Sequence, residues 1–122
     1  FFQSYEAYMA TGAARVSFLD NHDMNRFLFM AGGDVNRLKL AALCQFTLAP
    51  TPVIYYGTEV GLSQTVDKNK SGFGGDHHVR ADMPWQPEAW DQKLLTFYGQ
   101  LVQLRRTLPA LQLCRRMRMR GR

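Results

Sequence analysis

Apolar positions along the chain follow two different periods, and the switches between them outline the elements. Phe1, Phe2, Tyr5, Tyr8 and Met9 recur at helical spacing, which predicts a helix over 1–9 entered without a cap. Ala10 to Ala14, around Gly12, reads as a loop. Arg15 to Leu19 is β-branched and aromatic and predicts a short strand, which runs straight into the polar residues Asp20-Asn21-His22-Asp23. Gly32-Gly33 is a turn, with Asp34 placed to cap the next helix. From Val35 to about Ala49 the spacing is helical again, with Val35, Leu38, Ala41, Ala42 and Cys44 apolar and Gln45 on the polar side. Pro50 and Pro52 stop that helix. Val53 to Tyr56, closed by Gly57, predicts a buried strand of a parallel sheet. Residues 57–90 show little periodicity and read as one long loop. Asp91 to about Leu108 is a strongly amphipathic helix on Leu94, Phe97, Tyr98, Leu101 and Val102.

Helices alternating with strands imply crossovers and parallel neighbours. Arg15–Leu19 and Val53–Tyr56 are therefore expected to pair in parallel, bridged by the helix between them. Two strands alone leave both outer edges of such a sheet unpaired, so the pattern reads as part of a larger α/β fold.

Composition narrows the reading. With 46% hydrophobic and 20% charged residues in 122, the chain has the content of one small globular domain rather than of a disordered segment. No apolar run approaches the roughly 18 residues of a membrane span. Two cysteines, Cys44 and Cys114, are too few for a disulfide scaffold. Cys44, on an apolar helix, is expected in the core. The net charge of +5 sits at one end, because the last eight residues hold five of the 15 basic residues and the remaining 10 balance 10 acidic ones. A basic run at a terminus reads as a solvated extension, with a nucleic-acid-binding tail as the alternative.

The densest chemistry is Asp20-Asn21-His22-Asp23-Met24-Asn25-Arg26, directly past the C-terminal end of a strand, where parallel α/β folds carry their sites. Carboxylate, imidazole and amide together suit the neighbouring hydroxyls of a polyol, and a carboxylate also stabilises developing positive charge. Plainer roles compete. Asp20 or Asp23 caps the following helix, Asp23 and Arg26 form an i,i+3 ion pair, or His22 joins a carboxylate on a metal, which needs further ligands.

Phe18-Leu19-Asp20-Asn21-His22-Asp23 resembles the seventh-strand motif of the α-amylase family, glycoside hydrolase family 13. Thr51-Pro52-Val53-Ile54-Tyr55-Tyr56-Gly57-Thr58-Glu59-Val60-Gly61 is similar to that family's eighth strand and the turn after it. Arg80-Ala81-Asp82-Met83-Pro84-Trp85 resembles the Arg-x-x-Met-x-Trp stretch of the next loop. The run from Phe97 to Arg106, before Leu108-Pro109-Ala110-Leu111, looks like the eighth barrel helix. Four motifs in order are far more specific than Asn-His-Asp alone.

The resemblance implies an incomplete (β/α)8 barrel of the TIM type, of which this chain supplies the last two βα units, strands seven and eight with their helices. A whole barrel takes ~250 residues. Residues 1–111 would be the C-terminal part of the catalytic barrel, and 112–122 a basic tail, disordered or a truncated or frame-shifted end. The implied reaction is retaining cleavage or transfer at α-glucosidic bonds of α-glucans or malto-oligosaccharides. Asp23 maps onto the transition-state-stabilising carboxylate and His22 onto a sugar-hydroxyl ligand, with Asn21 and Arg26 as further substrate contacts and Asp20 in support. No stretch of the chain matches the motifs of the nucleophile or the general acid/base, so the 122 residues alone are expected to be inactive. The alternative is a non-catalytic carbohydrate-binding module of the same fold. No cofactor or metal is assignable here, although the resemblance allows calcium in a complete protein. Neither nucleic acid nor membrane is an expected partner, and both cytoplasmic and secreted locations stay open. Phe73, Trp85 and Trp90 read as loop packing or sugar-stacking faces, His77-His78 as an exposed pair, and Glu59 as a buried hydrogen-bonding group or a catalytic one.

Overall fold

The computed structural model describes residues 15–48, 50–70, 72 and 75–112. The helix expected over 1–9, the loop at 10–14, Phe73, Cys114 and the tail 113–122 lie outside the described residues.

Strand β1 is Val16–Ser17 and β2 is Thr51–Pro52, paired in parallel with Val16 opposite Thr51 and Ser17 opposite Pro52. Thr51 N–H donates to Arg15 O at 2.8 Å and Val53 N–H to Ser17 O at 2.7 Å. Alternate residues of a strand serve one neighbour. Pro52, which has no N–H, therefore falls where none is needed toward β1. The expected parallel pairing is present, but its second strand is a correction: the ladder lies at 51–52, before the expected Val53–Tyr56. None of Val53 to Tyr56 is buried among the described residues, and the ladder follows the reach of β1. Val53 is 44% exposed and Tyr56 38%.

A short helix α1, Phe27–Met30, follows the polar cluster. Helix α2, Val35–Thr47, then crosses from β1 to β2, and the Asp34 carboxylate accepts from Asn36 N–H and Arg37 N–H at its start. Among its described residues the expected long loop carries short turns and helix α3, Asp76–Val79. Helix α4 is Gln92–Thr107, capped by Asp91, which accepts from Leu94 N–H, and α5 is Pro109–Gln112.

Packing of α4 on α2 makes the core. Leu28, Leu38, Ala42, Phe46, Leu94, Tyr98 and Leu101 are buried together, with Leu19, Phe27, Val35, Ile54 and Phe97 against them. Phe46 and Tyr98 meet edge to face at 6.1 Å, the favoured aromatic geometry. The buried face of α2 is Leu38, Ala42, Gln45 and Phe46, so Gln45 is inside and Cys44 exposed, the reverse of the expectation. Gln45 is inside because its amide is used: Nε2 donates to Ser17 O at 2.7 Å and to Val53 O at 3.1 Å, bridging β1 to the residue after β2. Arg105 closes the far end, donating from Nη1 to Phe46 O (2.8 Å) and Leu48 O (2.9 Å) and from Nη2 to Pro50 O (3.0 Å). Among the described residues no helix is long and apolar enough to cross a membrane.

Candidate active site

Beyond β1 the chain makes a tight turn built by its own side chains. Asn21 Oδ1 accepts from Asp23 N–H at 2.8 Å, and Met24 N–H reaches Asn21 O at 3.3 Å. Asn side chains favour such turns by imitating a backbone acceptor. Strand alternation would separate His22 from Asp23, but the turn brings them together. His22 Nε2 lies 3.1 Å from Asp23 Oδ2, and both side chains are 63% exposed. This pair is the part of the motif that faces outward.

Asp20 and Arg26 instead point into the protein. Asp20 is 2% exposed. Its Oδ2 accepts from Phe27 N–H at 2.9 Å, at the start of α1, and its Oδ1 from Thr58 Oγ1 at 2.9 Å. Neither of the two aspartates that compete to cap the following helix is its N-cap residue, which is Arg26, but Asp20 is the one that accepts from its first N–H. Arg26, expected to touch substrate, is 0% exposed. Its Cζ lies 4.1 Å from the Tyr55 ring centroid and 4.7 Å from that of Tyr56, within range of cation–π attraction. Nη1 donates to Tyr56 O at 2.6 Å, while Nε and Nη2 have no hydrogen-bond partner among the described residues. Burial of Tyr55 here, with a hydrogen bond to Tyr56, pushes its phenol up to about 12.

The guanidinium that meets Asp23 is that of Arg80, from 57 positions away, with Nη2 at 3.2 Å from Oδ1. The expected i,i+3 pair with Arg26 is therefore absent. Arg80 Nε also donates to His22 O at 3.1 Å, and Nη2 pairs with Asp76 Oδ2 at 2.9 Å. Sequence reasoning placed Arg80 in a motif but assigned it no role. It assigned none to Asn25, Gln64, Lys68 or Asp76 either, which join the turn to the segment after β2. Contacts over some 40 positions leave no periodic signal, and the polar content of 64–80 is the one trace of them.

The aromatic candidates divide. Trp85 is 76% exposed, whereas Trp90 is half-buried and donates from Nε1 to Pro84 O. His77 is exposed and His78 half-buried, their rings 3.9 Å apart. Glu59 has a buried Oε2 with no hydrogen-bond partner among the described residues. Tyr98 OH is likewise buried and unpartnered there, and burial, then the nearby Asp20 and Glu59 charges, raise its pKa. Among the described residues no three His, Cys, Asp or Glu side chains gather to hold a metal.

A parallel β-α-β unit with a carboxylate–imidazole pair just past the first strand is an arrangement that α/β barrels contain, and their sites lie at the C-terminal strand ends. Comparison with known proteins agrees. The model of the α-amylase catalytic domain matches residues 1–97. Alpha-amylase 2 of Dictyoglomus thermophilum is 43% identical over 97 residues, 80% of this chain and 17% of the relative. A cyclomaltodextrinase of a Bacillus species is 42% identical over 94 residues, 77% of this chain and 15% of the relative. The structure of a cyclic α-maltosyl-(1→6)-maltose hydrolase from Arthrobacter globiformis, in complex with that sugar, superposes with a TM-score of 0.75. It is 30% identical and covers 99% of this chain and 24% of its own. The chain belongs to the α-amylase catalytic-domain family of glycoside hydrolases. It spans about a sixth of the length of the curated relatives it matches.

Proposed function

We propose that this chain is the strand-seven and strand-eight portion of a retaining enzyme that cleaves or transfers α-glucosidic bonds in α-glucans or malto-oligosaccharides. The observation that carries the reading is the outward-facing pair His22 and Asp23, 3.1 Å apart and both 63% exposed, beyond a barrel strand of a chain in this family. Relatives named α-amylase, cyclomaltodextrinase and neopullulanase support the substrate class.

In this reading Asp23 stands beside the sugar ring at the reacting carbon. Its negative charge stabilises the oxocarbenium-like transition state more than the neutral ground state, and that difference accelerates the reaction. His22 binds a ring hydroxyl, and Asn21 supports both by holding the turn. Arg26 acts from beneath, keeping Tyr55 and Tyr56 in place. The nucleophile and the acid/base come from strands outside these residues.

Asp23→Asn in the complete protein tests the assignment, because it keeps shape and hydrogen bonding while removing charge. We expect kcat on soluble starch to fall by about 10³-fold or more, with the melting temperature unchanged. Near-normal turnover would make Asp23 structural. A wild-type protein that binds maltoheptaose without turning it over would replace the enzyme by a carbohydrate-binding module.

A further inference from the structure

Once the sugar-facing side chains are assigned, a run of polar contacts between the Asp23 turn and residues 64–76 has no role. Asn25 is its hub. Asn25 Oδ1 accepts from Gln64 Nε2 at 2.6 Å and from Lys68 N–H at 3.0 Å, and its Nδ2 donates to Asp67 Oδ1 at 2.9 Å. Gln64 Oε1 in turn accepts from Arg26 N–H at 2.7 Å. Two side-chain amides thus fasten a segment some 40 positions away onto residues 25 and 26.

That fastening delivers one cation to one carbonyl. Lys68 Nζ donates to Asp23 O at 2.7 Å and pairs with Asp76 Oδ1 at 3.0 Å, and its side chain is 18% exposed. The approach is enforced from the other side by Gly75, where a Cβ would overlap the Lys68 carbonyl oxygen. No longer residue fits there without moving Lys68. Lysine is costly to immobilise on a surface. Here it is held at its main chain by Asn25, at its ammonium by Asp76 and Asp23, and by the packing of Gly75.

The turn needs such a partner. Its closing hydrogen bond, Met24 N–H to Asn21 O, is long at 3.3 Å, and the Asp23 carboxylate, 63% exposed, meets His22 and Arg80, which are themselves exposed side chains, so its direction depends on the main chain behind it. A charge-assisted bond to the carbonyl of the same residue anchors the peptide from which the carboxylate projects. Displacement of a reacting group by about 1 Å costs on the order of 10²-fold in rate.

We infer that Lys68 is a positioning residue for the Asp23 carboxylate, and that Asn25 is the staple that brings Lys68 to it. The inference rests on the reading of Asp23 as the transition-state-stabilising group. It adds residues that act through Asp23 without touching the sugar.

The experiment is a double-mutant cycle in the complete protein with Lys68→Met and Asp23→Asn, assayed on an activated α-maltoside. Lys68→Met alone should lower kcat by about 10- to 100-fold with KM changed by less than about threefold. In the Asp23→Asn background the same change should cost less than about twofold, because there is no charge left to place. Equal losses in both backgrounds would overturn the inference, since a general structural defect is indifferent to Asp23. Wild-type kcat in Lys68→Met would overturn it as well. Near-normal turnover of Asp23→Asn alone would instead bring down the assignment of Asp23, so the two failures are distinguishable. Should Lys68→Met not fold, Asn25→Ser, which shortens the staple and keeps the cation, goes through the same cycle with the same expected and overturning results.

Discussion

Asp20 shows how a motif residue can serve the site without facing it. Its carboxylate ties the end of β1 to the start of α1 and to the buried Thr58 after β2. Replacing it with alanine strands a main-chain N–H and a hydroxyl, each worth about 1–3 kcal/mol when buried without a partner. Asp20→Ala should therefore lower the unfolding free energy of the complete protein by about 2–4 kcal/mol. Urea denaturation reads this directly, and an unchanged midpoint would remove Asp20 from the framework. The sequence left capping open between Asp20 and Asp23 because both precede the helix. Burial decides between them, and burial depends on Thr58, which is 38 positions on. Arg26 was unreadable for the same reason, since the tyrosine rings that enclose it come from β2's far side.

Elements with a local cause were legible, and those with a remote cause were not. Asp34 caps α2 and the three- and four-residue spacing carries it to Thr47, all within one stretch of chain. The segment after β2 has no period because it is shaped by contacts to residues 20–26. Gly57 adopts φ 84° and a Cβ there would lie 2.7 Å from Leu62 Cδ2, so this turn accepts only glycine. The same segment should respond to acid. The hydrogen bond from Asn25 lowers the Asp67 pKa, and the hydrogen bond from Lys68 lowers that of Asp76, both from an ordinary 3.8. A carboxyl depressed in the folded state stabilises it above the unfolded value and loses that contribution as pH falls through the folded one. Amide exchange at Lys68 and Asn69, corrected for its intrinsic rate, should thus accelerate below about pH 4 while α2 stays protected. Protection at these amides that holds from about pH 6 to about pH 3 would show that the two carboxylates do not secure the segment.

Over the whole molecule, the described sheet has two strands. Val16, Phe18 and Val53 on and beside them are 56%, 46% and 44% exposed, apolar surface that further strands would cover in the function proposed above. In the function proposed above the nucleophile and the acid/base come from outside these 122 residues, and a retaining glycosidase needs both, ~5–5.5 Å apart. The isolated chain is therefore expected to hydrolyse neither soluble starch nor an activated α-maltoside, and to aggregate or stay loosely packed. Turnover above background that Asp23→Asn abolishes, with host amylase excluded, would overturn that expectation.

Arg105 gives this architecture a direction in time. The carbonyls of Phe46, Leu48 and Pro50 form the corner by which the chain leaves α2 and enters β2, and their donor lies up to 59 positions downstream. A ribosome releases that corner well before it has made Arg105. Through that interval the three oxygens lack the guanidinium that holds them in the folded chain. The parallel pair thus acquires this brace from a helix synthesised after both of its strands, and a nascent chain stalled ahead of Arg105 holds β2 without it.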